Sequence, residues 1–344
     1  MNGKRGLCNI GNTCFMNSAL QCIGHNEDLR HILLNDNLKI NNNKQGEITK
    51  EWIRLMKALW NEKTQVCRAL RPLSFYKKFI IYVLRKGHSH FRGYSQNDVQ
   101  EFIILLLDIF HESIKRKVDI RICGNPLNKK DEMAMEAAKS FKNYFEKDYS
   151  EIIYLFYGQI QSNIIDSKTG KIISISYEPI CHFNLPIPYL DYLEDNDIEN
   201  IDIHITDCFD VFCEEEELDE ENLFEQNGKM ISIEKKINIW EFPKILMVTF
   251  KRFDENLQKN NHFINFPLKN LDLSPYCLNY TNSSAKFNLF GVCNHSGGVR
   301  GGHYYAYCLG DDNKWREFND NQVSEILVEN VVSSHAYVLF YKKI

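Results

Sequence analysis

The feature that most constrains this chain is a change of hydrophobic rhythm near residue 150. Before it, apolar side chains recur at helical spacing, most clearly at Val99, Phe102, Ile103, Leu106 and Phe110. The preceding Ser95-Gln-Asn-Asp98 reads as a capping box that opens this helix. Further helices are predicted from Cys14 through Cys22 with Thr13 as N-cap, near 47–60, and around 131–145. From about residue 151 the pattern becomes short β-rich runs separated by Gly, Pro, Asn and Asp. They cover 152–156, 171–177, 229–240, 244–253, 286–293, 303–309 and 336–341. Helices first and strands afterwards predict an α+β fold with a site at the junction.

No internal repeat or long low-complexity linker divides the 344 residues, so they are read as one domain. Chemistry-bearing residues begin within the first fifteen positions, which leaves no room for a separate N-terminal domain in this chain. A hydrophobic fraction of 44% supports a sizeable core. The net charge of −5 argues against a general nucleic-acid binder, which would carry a basic surplus. The negative charge is concentrated in 191–221, and the run Glu214, Glu215, Glu216 and Glu217 within it is read as a solvated loop or sheet edge. Eleven irregularly spaced cysteines without any CxxC read as free thiols of the cytosol or nucleus. No apolar run approaches the roughly 18–20 residues of a membrane span, so no membrane is expected.

Two segments carry candidate chemistry. Gly6-Leu-Cys-Asn-Ile-Gly-Asn-Thr-Cys14 is a polar loop that runs into a helix, placing Cys14 where the positive end of the macrodipole favours a thiolate. Peptide N–H groups there can face a developing oxyanion, and Asn9 and Asn12 add side-chain donors. Far along the chain, Gly297-Gly-Val-Arg-Gly-Gly302 precedes His303, and Gly310-Asp-Asp-Asn313 signals a hairpin between strand-like runs. Centring that turn between Asp311 and Asp312 sets His303 across from Asp320 and Tyr304 across from Asn319, to within about one residue. Either Asn319 or Asp320 then reaches the imidazole and fixes its tautomer, completing a nucleophile, base and orienter.

The same residues closely resemble the ubiquitin-specific proteases, the papain-like deubiquitinases. The resemblance rests on four ordered blocks: Gly6 to Cys22, then Ser95-Gln-Asn-Asp98-Val-Gln-Glu101-Phe with Leu-Leu-Asp108-x-x-His-Glu112. Phe250-Lys-Arg-Phe253 with Phe266-Pro-Leu and Leu271-Asp-Leu-Ser-Pro-Tyr276 follows, and Gly302-His303-Tyr-x-Ala-Tyr307 through Phe318-Asn319-Asp320 completes it. It implies a single catalytic domain over 1–344, with a thumb in about 1–150, fingers within about 151–245 and a palm mainly in 246–344. It implies a thiol-dependent hydrolase acting after the C-terminal glycine of ubiquitin, with ubiquitin and ubiquitinated proteins as partners, no cofactor and a monomeric state. By position Cys14 is the nucleophile, His303 the base, Asn319 the third triad member, Asp320 the adjacent acid and Asn9 the oxyanion-hole side chain. Substrate contacts fall at Asp98, Gln100, Glu101, Gly301, Gly302 and Tyr304, and 297–302 is expected as a mobile loop over the ubiquitin tail. A non-catalytic ubiquitin binder and a protease for another ubiquitin-like modifier are the competing readings.

The chain departs from many such proteases in lacking two CxxC pairs at the fingertips. Ile164-Ile-Asp-Ser-Lys-Thr-Gly170 and Glu225-Gln-Asn-Gly-Lys229 stand in those places, so a zinc-free β-ribbon is expected. Cys181, His182, His204, Cys208 and Cys213 offer only an irregular alternative ligand set.

Overall fold

Asparagine caps start three of the helices that occupy the first 156 residues. Asn26 accepts from Leu29 N, Asn43 from Gly46 N and Asn128 from Asp131 N, each satisfying a first-turn N–H that has no partner inside the helix. The computed structural model describes residues 3–61, 68–91, 97–188, 202–217, 224–226, 229–280, 285–298 and 301–344. Among these the helices are α1 (Cys14–His25), α2 (Glu27–Leu33), α3 (Lys44–Leu59) and α4 (Leu73–Arg85). They continue with α5 (Val99–Ile114), α6 (Lys129–Phe145), α7 (Glu151–Phe156) and α8 (Ile205–Cys213).

Two expectations are corrected here. The helix at 99 is capped by Asp98 itself, which accepts from the N–H groups of Gln100 and Glu101, while Ser95 lies outside the described residues. The run 152–156, expected as a strand, is helical: Ile152, Ile153, Leu155 and Phe156 are all buried in α7. A six-residue apolar run fits either structure by pattern, and tertiary packing decides.

The strands begin with β1 (Gly158–Asp166), β2 (Ile172–Ile180), β3 (Phe183–Leu185) and β4 (Ile203–His204). Next come β5 (Glu215–Glu217), β6 (Phe224–Gln226), β7 (Lys229–Ile231), β8 (Ile233–Glu241) and β9 (Ile245–Phe250). β10 (Ile264–Asn265), β11 (Leu271–Asp272), β12 (Lys286–Gly298), β13 (Gly301–Leu309), β14 (Trp315–Asn319), β15 (Gln322–Glu325) and β16 (Ala336–Lys343) complete them. The main sheet runs β15-β14-β13-β12-β16-β9-β3, with β11 added on β12. Its two faces are both buried. Ile245, Met247, Val338 and Phe340 join the helical core, whereas Leu246, Val248, Leu339 and Tyr341 join a second core that includes α8 residues. That division follows the two-residue period of a strand.

A smaller sheet runs β2-β1-β8-β5, with the acidic β5 at its edge, one of the two places expected for that run. The first place where a CxxC pair is missing holds the end of β1 and the turn that leads to β2. Asp166 Oδ1 accepts from Lys168 N and Thr169 N, and Gly170 N donates to Asp166 O at 2.8 Å with φ +64°. At the second position, residues 227 and 228 lie outside the described residues. Within 297–302, expected as a mobile loop, Gly297 pairs with Gly302 and Gly298 with Gly301, and residues 299 and 300 lie outside the described residues.

Candidate active site

Every residue of α1 is buried, so each polar side chain on it needs a partner. Gln21 donates to Arg5 O, Ser18 to Phe15 O, and Asn17 Nδ2 to Leu7 O and to Asp320 Oδ1, the last at 2.8 Å. Thr13 is the N-cap as expected, yet its side chain makes no cap hydrogen bond. It accepts instead from Ile10 N at 3.0 Å and shapes the loop ahead of the helix. The first-turn N–H groups are thereby left for the Cys14 sulfur.

Cys14 is 2% exposed. Burial pushes its thiol above the ordinary value, and the Asp320 carboxylate adds to that rise. Backbone N–H groups of Tyr304, Phe15 and Cys14 itself pull the other way without prevailing. Burial and the Asp320 carboxylate thus work against the thiolate expected from the helix end. Contact with the Tyr304 backbone sets the sulfur one residue from His303.

β13 and β14 pair Ala306 with Phe318, Tyr307 with Glu317 and Leu309 with Trp315. The turn carries three residues between Gly310 and Lys314, with Asn313 at φ +57°, so the register shifts by one from the expected centring. A one-residue shift moves every side chain to the other face. Here it brings Asn319 onto the face of His303 and removes Asp320 from it. His303 Nε2 lies 2.7 Å from Asn319 Oδ1. An amide oxygen only accepts, so Nε2 carries the proton and Nδ1 holds the basic lone pair. Asn319 Nδ2 in turn donates to Glu317 Oε1 at 3.2 Å, two residues back on the same strand face. Glu317 was not predicted, although an acid two positions from a candidate orienter is a readable signal.

Asp320 turns out of the strand at φ +50° and faces the nucleophile loop. Its Oδ2 accepts from Asn9 Nδ2 at 3.0 Å, its Oδ1 from Asn17, and its backbone oxygen from Leu7 N at 2.8 Å. Gly6 lets this backbone pass: a Cβ there would lie 2.5 Å from Asp320 O. Asn9 Oδ1 accepts from Gly11 N and Thr13 N, which orients its amide and leaves one Nδ2 hydrogen beyond the bond to Asp320.

The family described as Ubiquitin carboxyl-terminal hydrolase matches residues 5–341. The chain belongs to that family. It is 34% identical over 352 residues to human Ubiquitin carboxyl-terminal hydrolase 2, covering 99% of this chain and 55% of the relative. It is 32% identical to mouse Ubiquitin carboxyl-terminal hydrolase 21, covering 99% of this chain and 62% of the relative. The chain thus spans just over half of the length of these curated relatives. Among solved structures it is similar to the yeast SAGA DUB module, with TM-score 0.71, 23% identity and coverage of 99% of this chain and 68% of that one. A SAGA DUB module bound to monoubiquitin matches at TM-score 0.70 and 23% identity, covering 99% of this chain and 69% of that one. These likenesses establish the α+β fold.

The remaining expected residues of this ubiquitin carboxyl-terminal hydrolase domain are distributed unevenly. Asp98 is occupied twice, by the α5 cap and by Tyr337, whose hydroxyl donates to Asp98 Oδ2 at 2.7 Å. No sequence signal pointed to Tyr337. Gln100 Nε2 lies 3.5 Å from His182 Nδ1, and Glu101 Oε1 2.8 Å from His90 Nε2. The Tyr304 ring is 5% exposed and packs on His295, so its backbone rather than its side chain borders the cleft. Gly302 could not carry a Cβ, which would lie 2.2 Å from His295 Nε2. The irregular metal set disperses: Cys208 is core, His182 Nε2 bonds Thr249 Oγ1 and His204 pairs with Asp202. No helix among the described residues is long and apolar enough to cross a membrane.

Proposed function

We propose that this chain is a thiol-dependent deubiquitinase that hydrolyses the isopeptide or peptide bond after the C-terminal glycine of ubiquitin. The observation that carries the reading is the 2.7 Å bond from His303 to Asn319, one residue from the backbone that touches the Cys14 sulfur. In this reading Nδ1 of His303 takes the thiol proton as Cys14 attacks the glycine carbonyl, so the raised thiol pKa is overcome only when base and substrate are both present. The Cys14 backbone N–H and the remaining Nδ2 hydrogen of Asn9 receive the oxyanion. His303 returns the proton to the leaving lysine amine, and water then releases the acyl-enzyme. Asp320 acts through Asn9 and Asn17 as a positioning residue, and Asn319 keeps the histidine tautomer.

The extended tail lies between the α5 start and the β12–β13 tip, against Asp98, Gln100, Glu101, Gly301, Gly302 and the Tyr304 backbone. Thumb, fingers and palm correspond to the helices before residue 150, the β2-β1-β8-β5 sheet and the main sheet. Ubiquitin-bound structural relatives support the partner, and free cysteines at the ten described positions support a cytosolic or nuclear setting. The enzyme works as a monomer without a cofactor, on ubiquitinated proteins and not on nucleic acid.

Ubiquitin carrying a thiol-reactive C-terminal group tests this directly. One ubiquitin should add to the wild-type chain and none to Cys14→Ala by intact mass. No adduct on folded wild type would leave a binding module or a protease for another modifier, and an adduct on both would remove Cys14 as nucleophile.

A further inference from the structure

We infer that His88, His90 and Glu101 form a binding site for one divalent transition metal of the zinc type, separate from the catalytic thiol. One ligand atom from each residue lies within 4.8 Å of the other two, and among the described residues this is the only trio of His, Cys, Asp or Glu that close. A tetrahedral ion with metal–ligand bonds of about 2.0–2.1 Å needs ligand atoms about 3.3 Å apart. His90 Nε2 and Glu101 Oε1 are 2.8 Å apart, and the 4.8 Å limit on the trio leaves at most about 1.5 Å to close between any two ligand atoms.

The two histidines arise from a short, pinned segment. α4 ends at Arg85, Gly87 with φ +95° turns the chain just beyond it, and His88 N donates to Val83 O at 3.0 Å. A 3-10 turn over Ser89–Phe91 follows, closed by Phe91 N on His88 O. Phe91 is buried against Phe15 and Phe79, with ring centroids 6.1 and 5.6 Å away. The His90 ring packs on Phe91 at 4.5 Å. Glu101 stands in the first turn of α5, whose start is fixed by the Asp98 cap and Tyr337. Ligands on two rigid elements lose little freedom on binding, which is the condition a built site must meet.

The donor chemistry narrows the ligand. Two imidazoles and one carboxylate suit zinc, cobalt, nickel or copper(II); calcium and magnesium prefer all-oxygen shells, and copper(I) prefers sulfur. Partial exposure of the trio leaves a fourth position for water. A plain ion pair accounts for His90 and Glu101 but not for His88, whose ring stands edge-on to His90 at 5.9 Å. The positive end of α5 opposes a cation here, so binding is weaker than at a structural zinc site. Occupancy has a consequence that rests on the substrate reading above: the metal engages Glu101 and competes with the ubiquitin tail.

The test uses Cys14→Ala protein, kept reduced, titrated with cobalt(II) alone and followed by visible absorbance. One saturable equivalent with d–d bands and no thiolate charge-transfer band is expected. His88→Ala and His90→Ala, each checked by melting temperature, should weaken it by more than about tenfold. Absence of a saturable equivalent, a signal unchanged in both variants, or binding only through thiolate overturns the site. A second arm measures ubiquitin affinity with and without saturating cobalt. Weaker affinity that His88→Ala restores supports the competition, whereas unchanged affinity with the d–d signal intact keeps the site and removes Glu101 from the tail contact.

Discussion

At the catalytic junction, the decisive hydrogen bonds join residues 311 and 303 positions apart, Asn9 and Asn17 to Asp320. In the β2-β1-β8-β5 sheet the partners are matched by backbone pairing, across a hairpin for Asn163 with Ile175 and between distant strands for Asn163 with Lys236, and the charged pair Lys236–Glu215 sits at an exposed edge. The junction is held by specific side-chain partners, one on the exposed Asn9 and one on the buried Asn17. The smaller sheet is held by backbone register that many sequences can supply. Substitution should therefore damage chemistry at the junction far more than anything in the sheet.

The sharpest break of this contrast is Cys14→Ala, expected to lower hydrolysis of a fluorogenic ubiquitin amide by at least about ten-thousand-fold. Its melting temperature should stay within about 3 °C, because only one buried sulfur is lost. Turnover above about one per cent of wild type would place the nucleophile elsewhere. Next in size, Asn9→Ala and Asp320→Ala should each cost about a hundredfold in kcat, and the double variant no more than the worse single one. Effects that multiply would mean that the two do not act as one unit. Asp320→Asn should also lower the pH midpoint for alkylation of Cys14 by a neutral reagent, since the carboxylate helps to hold the thiol up.

A pH effect separates the regions by stability. His25 on α1, His182 beside α5 and His295 on β12 are pushed down to about 4 by burial, and none of the four strands of the smaller sheet contains a histidine. Their folded pKa lies below the unfolded value near 6.5, so the unfolded chain takes up protons first as pH falls. Stability is then fully present above about pH 6.5 and lost progressively towards pH 4, by about 1–2 kcal/mol for each histidine at pH 5. Urea unfolding at pH 7 and pH 5 measures it, and a flat profile would contradict buried neutral histidines. The smallest effect belongs to Glu215→Ala, which should change stability by under about 0.5 kcal/mol and leave turnover intact. A large loss there would show that the edge strand matters more than its exposure implies.

What could be read from the chain follows the same division. Cys14, His303 and the Asn319/Asp320 pair were visible because loop, helix start, glycines and hairpin turn each leave local marks. The choice between Asn319 and Asp320 came from the family resemblance and not from the spacing, since by spacing it depends on whether the turn holds two residues or three. The α4 stripe of Phe75, Phe79, Tyr82 and Val83 has helical spacing yet went unpredicted, as its isoleucines and aromatics read equally as strand. α8 was hidden inside a stretch judged by its charge. The Asp98 cap was misassigned by three residues because Ser95 and Asp98 are both good N-cap types, and the bonds that Asp98 accepts from Gln100 N and Glu101 N, with the Tyr337 hydroxyl holding its other oxygen, show what the fold does with it.

That bond has a temporal side. Tyr337 follows Asp98 by 239 residues, on a strand that fills the gap between β12 and β9. At about 5–20 residues per second, a ribosome needs about 10–50 seconds to make that stretch. For most of that interval the nascent chain carries Cys14 without His303, and for its last part it has the histidine but not yet the strand that carries Tyr337. Until that strand has emerged, α5 keeps its Asp98 cap without the Tyr337 hydroxyl that anchors it, so the order of synthesis sets the order in which the two can join.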